Sequence, residues 1–389
     1  MMELFSEATF SLKQFSREIS MSDTIAGILK TVNKEQFAVR TPDRSYRART
    51  PEITVHPEVV RRHPLAEGAT VSGQFERKKG KRRLISIDSL GGLDPDVFAD
   101  RPHFADLVAV DPHDRFDLGA CGVESMRIVD LIAPIGKGTR QLIVSPPKAG
   151  KTVMLEQMVH AIRHVSPETR IIVLLIDERP EEVTHFRRSA EGAEVVFSTS
   201  DHSADQHVEL AELMLAHVQT ELECGREIVL MIDSLTRIGR AFNNRTRRQR
   251  GHTMSGGLEA GILEVPRRLF GLARNIEGGG SLTIVATCLI NTGSRMDQLI
   301  FEEFKGTGNS EIVLDRSMAE ARIFPAIDIP ASGTRKEARL YNDDQAQGVT
   351  TLRRVLSNYP PREAMKSLFK LLKTYPTNAE FLQSMSARS

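Results

Sequence analysis

The sequence has little cysteine, no long apolar run and almost no net charge, and each shortage excludes something. Its three cysteines, Cys121, Cys224 and Cys288, stand far apart without CxxC spacing, which argues against a disulfide framework or a zinc site and fits a reducing cytoplasm. No stretch approaches the roughly 18 apolar residues of a membrane span. Charges at Glu3, Glu7, Lys13 and Arg17 interrupt the amino-terminal segment, so neither a signal peptide nor a membrane partner is expected. Lys and Arg total 52 against 51 Asp and Glu, a net charge of +1. Any nucleic-acid binding must then come from local patches and not from a global field. Internal repeats and low-complexity tracts are absent too. What is present is ordinary globular composition, 389 residues with 40% hydrophobic and 26% charged, enough for two or three domains around a sizeable core.

Residues 1–23 carry Leu4, Phe5, Phe10, Leu12, Phe15 and Ile19 at a loose helical spacing, which predicts one short amphipathic helix. Over 24–92 the pattern changes to short alternating runs, Thr24 to Leu29, Gln36 to Val39, Ile53 to Val55, Thr70 to Phe75 and Arg83 to Ile87. These predict a small barrel of the OB or cold-shock kind. Residues 93–122, rich in Pro, His and Asp, read as a connector. From 123 to 389 strand-like runs alternate with amphipathic stretches, the pattern of a parallel α/β sheet covered by helices, with further helices toward the end. The expected strands are Gln141 to Val144, Ile171 to Ile176, Glu194 to Phe197, Ile228 to Ile232 and Leu282 to Leu289. Ligands of such sheets bind beyond the strands' carboxyl ends.

Ser145-Pro146-Pro147-Lys148-Ala149-Gly150-Lys151-Thr152 follows one of these strands and opens a helical stretch, the context that a phosphate-binding loop requires. A Gly-Lys-Thr tripeptide alone is only a polar helix start, and Ser145 replaces the first glycine of the usual signature, but strand, loop, Lys148 and helix together point to a bound nucleotide. Lys148, Ala149, Gly150, Lys151, Thr152 and Val153 are the expected contacts. Lys151 would neutralise phosphate charge, and the Thr152 hydroxyl would hold Mg²⁺. Ile228 to Ile232 closes on Asp233, a second candidate for Mg²⁺, although many buried strands end in Asp only to cap a turn. Ile171 to Ile176 closes on Asp177-Glu178-Arg179. A carboxylate there could orient the water that attacks the γ-phosphate, and Glu178 suits that role better than the helix-start acids Glu181 and Glu182. Far down the chain, the polar basic segment Ala331 to Lys336 could lend Arg335 to a neighbouring subunit's site.

Several longer blocks narrow the class. Pro146 to Thr152, Leu174 to Thr184, Asp233 to Arg237, Ala273 to Ile284, Glu302 to Asn309, Phe324 to Asp328 and Ser332 to Glu337 resemble the Rho family of bacterial transcription termination factors and not merely RecA-like ATPases in general. The likeness runs from about Asp130 to the end, with a weaker stretch at Val59 to Arg62 and Gly68 to Gly73. It implies a homohexameric ring with ATP sites between subunits, and single-stranded nascent RNA threaded through the centre and moved 5′ to 3′. RNA polymerase and elongation factors are the protein partners it implies. By the same resemblance Glu178 is the water-activating base and Arg335 the finger acting in trans. Arg179, Arg237 and Arg322 contact phosphate, and Phe324 packs on adenine. The central-channel loops correspond to Gly251 to Gly257, with His252, Thr253, Met254, Ser255 and Gly256, and to Thr292 to Asp297, with Arg295.

The departures concern RNA. The family usually has lysine where His252 and Arg295 stand, and it begins with a helical bundle of which 1–23 can be at most a remnant. Its base-stacking stretches read here Glu35 to Arg40 and Lys81 to Ile85, leaving Phe37 as the aromatic. The basic run Arg77 to Arg83, with Arg82 and Arg83, could instead bind phosphates without sequence preference. A second run, Arg245 to Arg250, reads equally as a feed for RNA or a solvated charged loop. Three functions stay open: an RNA-dependent ATPase and translocase that terminates transcription, a divergent regulator that loads RNA poorly and modulates another ring, and another RecA-type hexamer. The Glu302 to Asn309 block and the barrel count against the third.

Overall fold

The computed structural model describes residues 23–33, 35–78, 80–250 and 261–387. The helix expected over 1–23 lies outside them except for Asp23, which opens the first strand. By internal contacts the described chain divides into two units. One holds the residues up to Thr41 with Ala48–Asp100, the other Pro42–Arg47 with everything from Arg101 onward.

The first unit is built from β1 (Asp23–Asn33), β2 (Gln36–Arg40), β3 (Ile53–Val55), β4 (Thr70–Lys78) and β5 (Lys81–Leu90), with α1 (Pro57–Arg62) between β3 and β4. The strands close into a barrel in the order β1-β2-β3-β5-β4. Inward and outward positions alternate, as a half-buried strand demands, so that Val71 and Phe75 of β4 are buried and Gln74 is exposed. Gly73 faces inward between them because its neighbour comes too close for a side chain. A Cβ there would lie 2.0 Å from the Ser86 carbonyl oxygen.

The passage that read as a connector has structure of its own. Asp94 caps α2 (Pro95–Ala99) by accepting from the Asp96 amide at 2.9 Å, and β6 (Ala109–Val110) pairs with a later strand.

The second unit holds a nine-stranded sheet whose main path is β14-β13-β7-β12-β10-β8-β9. Its parallel strands are β7 (Arg140–Ser145), β8 (Arg170–Glu178), β9 (Glu194–Thr199), β10 (Glu227–Asp233), β12 (Ser281–Leu289) and β13 (Ser310–Val313). β11 (Arg274–Ile276) and β14 (Gly333–Thr334) run antiparallel to their partners. Near-continuous burial along β8, β10 and β12 is what a sheet covered on both faces requires. The five runs read from the sequence are all strands, and β6, β11, β13 and β14 were not anticipated. Elements of two to four residues are too short to show a period, and pairing alone makes them strands.

Helices alternate with these strands: α3 (Glu124–Ile132), α4 (Lys151–Val165), α5 (Pro180–Ser189), α6 (Ala204–Glu223), α7 (Leu235–Arg250), α8 (Glu264–Gly271), α9 (Arg295–Lys305) and α10 (Arg316–Glu320). Then come α11 (Asp343–Leu356), α12 (Pro361–Thr374) and α13 (Asn378–Ser386). Ser203 and Gln206 form a capping box that starts α6. The buried Asn378 side chain ties α13 to α3, donating to the Arg127 carbonyl at 3.0 Å and to Asp130 Oδ2 at 2.9 Å while accepting from Arg127 Nε at 3.1 Å. This arrangement gathers Ser145, Glu178 and Asp233 at the carboxyl ends of β7, β8 and β10.

Candidate functional site

The loop after β7 turns through two left-handed residues, Lys148 at φ +66° and Gly150 at φ +94°. Gly150 makes the turn without steric strain and delivers the chain into α4, where Lys151 and Thr152 are the first helical residues. The free amides of that first turn and its partial positive charge face the loop, a cradle suited to phosphate. Lys151 Nζ donates to both carboxylate oxygens of Asp233, at 2.7 and 2.5 Å. Asp233 is buried, and the Thr287 hydroxyl of β12 donates to its Oδ1 at 2.8 Å. Three elements thus fix one carboxylate beside the loop.

Glu178 ends β8 and is 2% exposed. Arg237 of α7 donates through Nη2 to its Oε1 at 2.6 Å and through Nη1 to the Asp177 carbonyl at 2.5 Å. The other oxygen, Oε2, is buried with no hydrogen-bond partner among the described residues, which leaves it free to accept a proton. Burial first, and then the charge of Asp233, push Glu178 up to about 7, while Arg237 and Lys151 act in the opposite sense. A carboxyl tuned near neutrality is suited to exchange protons at cellular pH.

Beside the loop lies a cavity of about 520 Å³ lined by Val123, Lys148, Gly150, Val153, Gln157 and Phe324, among others. Phe324 is 46% exposed and Val153 53%, so both present apolar surface to it. A Cβ on Gly150 would sit 3.5 Å from the Phe324 ring. A flat apolar wall next to a phosphate cradle is what a purine base needs. Ala149 is buried beneath the loop.

Not every candidate converges here. Arg179 is exposed, with Nη1 3.9 Å from Glu182, and Arg322 is exposed at φ +58° in the turn after α10. Arg335 is exposed at the opposite end of the sheet. Its amide donates to the Asn309 carbonyl at 2.8 Å, and the preceding Thr334 pairs with Ser310, which is in register with Gln141 near the start of β7. The length of β7, about 15–20 Å, separates it from its own chain's loop.

Among the residues expected to meet RNA, Phe37 lies half-buried on β2 opposite Thr31. Arg82 is half-buried and Arg83 exposed on β5, and the β4–β5 hairpin sets Arg77 opposite Arg82 and Lys78 opposite Lys81. Like charges placed in register repel each other and attract anions. In the segment 292–297, Ser294 caps α9 and Arg295 is exposed at its first position. The buried Asp297 accepts from Arg240 and from the Thr292 hydroxyl, at 2.6 Å for the latter. The other segment expected to meet RNA, with His252, Thr253, Met254, Ser255 and Gly256, lies outside the described residues. Arg245 to Arg250 is not a loop, as one reading of the sequence had it. It closes helix α7, and Arg245 pairs with Glu212 of α6 at 3.1 Å.

Thr287 and His207 went unread in the sequence. Thr287 meets Asp233, and His207 approaches Asp177, from elements distant in the chain, and no local spacing marks them.

The chain matches the ATP synthase alpha/beta family, nucleotide-binding domain, over residues 125–334. It is 45% identical to transcription termination factor Rho of Cereibacter sphaeroides over 367 residues, covering 92% of this chain and 86% of that one. Rho of Aquifex aeolicus is 45% identical over 370 residues, 93% of this chain and 85% of that one. Rho of Pseudomonas aeruginosa is 43% identical over 369 residues, with 93% and 88% covered. Among solved structures, an ATPase from the type III secretion system of pathogenic bacteria aligns with TM-score 0.62 over 80% of this chain and 94% of that one, at 22% identity, a likeness of fold alone.

Proposed function

The chain belongs to the Rho family of transcription termination factors and is an ATP-hydrolysing enzyme, and from that premise we propose that it is an RNA-dependent translocase. In this reading it assembles in the cytoplasm as a homohexameric ring, moves 5′ to 3′ along single-stranded nascent RNA and releases the transcript from RNA polymerase. The observation that carries it is the pairing of Lys151 with Asp233 beside a buried Glu178 whose Oε2 has no partner among the described residues.

ATP would lie with its base against Phe324 and its phosphates over Lys148 to Thr152, Lys151 moving from Asp233 onto the β- and γ-phosphates. Arg179 and Arg322 would add contacts to phosphate. The Thr152 hydroxyl and the Asp233 carboxylate are oxygen donors that fit Mg²⁺, a cation content with few protein ligands beside phosphates and water. When bound, Mg²⁺ supplies charge neutralisation at the transferring phosphate. Glu178 Oε2 accepts a proton from the attacking water as its oxygen bonds to the γ-phosphorus and the bond to ADP breaks. Arg237 holds the carboxylate in that pose. Arg335, remote from its own loop, would serve a neighbour's γ-phosphate through its guanidinium. Arg295, with the segment 251–257, would contact RNA in the channel, and Phe37, Arg82 and Arg83 would contact it at the barrel.

Steady-state ATP turnover with and without poly(C), poly(U) and mixed single-stranded RNA tests the reading. Stimulation that vanishes in Glu178→Gln is expected. A folded protein that binds ATP and responds to no RNA would instead be a regulator of another ring.

A further inference from the structure

The strand that carries Glu178 does not run straight into it. β8 and β9 pair in even steps from Ile172 with Glu194 to Leu175 with Phe197, after which the register slips and Glu178 falls opposite Thr199. One extra residue is accommodated in β8, a bulge of the kind that re-aims a side chain. Inside it Asp177 adopts φ +56°, a left-handed conformation uncommon for residues other than glycine, although Asp enters it more readily than most. Arg237 grips one side of this turn through the Asp177 carbonyl and the Glu178 carboxylate.

On the other side stands a histidine that the mechanism above does not use. His207 of α6 is 5% exposed, and its Nδ1 lies 2.8 Å from the hydroxyl of the fully buried Ser198. Ser198 sits on β9 opposite the bulge. Its hydroxyl donates to Nδ1 when Nε2 carries the imidazole proton, and Nε2 lies 3.7 Å from Asp177 Oδ1. Burial holds His207 below the usual histidine range, against the pull of Asp177, which favours that neutral tautomer. The imidazole therefore spans the bulge from β9 to the residue preceding Glu178. Alongside lies a cavity of about 410 Å³ lined by Asp177, His202, Ser203, His207 and Asn244, among others.

We propose that His207, oriented by Ser198, is a positioning residue for ATP hydrolysis: it fixes the Asp177 bulge and so sets the aim of Glu178. The inference rests on the reading of Glu178 as the water-activating base. A residue that serves packing alone would lower stability without separating kcat from KM. A residue that aims the base lowers kcat and leaves ATP binding in place.

The test compares His207→Gln with His207→Asn, beside wild type and Glu178→Gln, by KM for ATP, single-turnover hydrolysis and thermal melts of the full chain. Gln places its amide nitrogen near the Nε2 position and keeps a donor toward Asp177, whereas Asn reaches only as far as Ser198. His207→Asn is expected to lose ~10- to 100-fold in the hydrolysis rate, the scale of a displacement of about 1 Å at a reacting group. Its KM should stay within about twofold, and His207→Gln should recover most of the rate. Wild-type hydrolysis in His207→Asn, with Glu178→Gln inactive, overturns the positioning role alone. Equal losses in both His207 variants with matching falls in melting temperature overturn it as well, in favour of packing. An active Glu178→Gln instead removes the base reading itself.

Discussion

Arg240 closes a fork on the buried carboxylate of Asp297, Nε to Oδ1 at 2.8 Å and Nη2 to Oδ2 at 2.5 Å. Arg237, which grips Glu178, lies one turn earlier on the same helix, and residues at that spacing share a helix face. One rigid element therefore holds both the carboxylate of the nucleotide site and the anchor of the segment that presents Arg295. Asp297→Asn weakens the fork and should lower the factor by which RNA stimulates ATP turnover by ~5-fold or more, within the usual range of coupling between sites. Turnover measured across an RNA titration checks this. Unchanged stimulation would mean that α7 does not couple the two sites.

The position of Glu178 at about 7 fixes the direction of the pH dependence. A base must be deprotonated to act, so kcat/KM, which reports the free enzyme, should fall as pH drops through about 7 and level off above it. Arg237 favours the ionised form, and Arg237→Gln should move this acid limb to higher pH by about one unit or more. A pH–rate profile for both proteins decides it. A limb that stays in place would show that another group controls it.

Removing the cation at Lys151 leaves Asp233 buried with only the Thr287 hydroxyl as a donor and takes the central charge from the phosphate cradle. Lys151→Met should reduce hydrolysis by about 10²-fold or more, the scale seen when a charge-stabilising donor is lost. Binding of a fluorescent nucleotide, followed in parallel, separates lost affinity from lost chemistry. Near-normal turnover would contradict the placement of ATP.

On the barrel, Lys78 faces Lys81 and Arg77 faces Arg82. Replacing Lys81 and Arg82 by Gln relieves repulsion between cross-strand neighbours and should leave barrel stability equal or raised. If the hairpin holds RNA phosphates, the slope of log affinity against log salt concentration should drop by about 1.4, roughly 0.7 for each lost contact to a single strand. An unaltered slope would place the phosphate contacts elsewhere.

Asn378 completes the hydrogen bonds of Asp130 and Arg127 at the junction of α3 and α13. Asn378→Ala strands polar groups in a buried place and should destabilise the second unit by about 2–4 kcal/mol, the penalty for leaving one or two buried partners unmet. Denaturant melts measure it, and a loss below about 0.5 kcal/mol would show that water reaches the site.

The sequence by itself determined the classes of structure and the chemistry of the nucleotide. Alternation over 24–92 was enough for the barrel, buried runs separated by helical stretches for the parallel sheet, and the strand, Gly150-Lys151-Thr152 and helix for the phosphate loop. These signals are local, since each is a period or a motif within a few consecutive residues. Tertiary structure alone decided what those residues touch. Asp233 could have been no more than a turn cap until β12 brought Thr287 and α4 brought Lys151 against it. Arg245 to Arg250 had the composition of a solvated loop and instead extends α7, with Arg245 paired to α6. Ser198, His207 and Asp177 come from a strand, a helix and a bulge, and nothing in their separate neighbourhoods relates them. The environment that lifts Glu178 arises only when burial and the charges of Asp233, Arg237 and Lys151 converge on it. Such convergence is a property of sheet order and helix packing, which contacts between distant residues create and which local spacing does not contain.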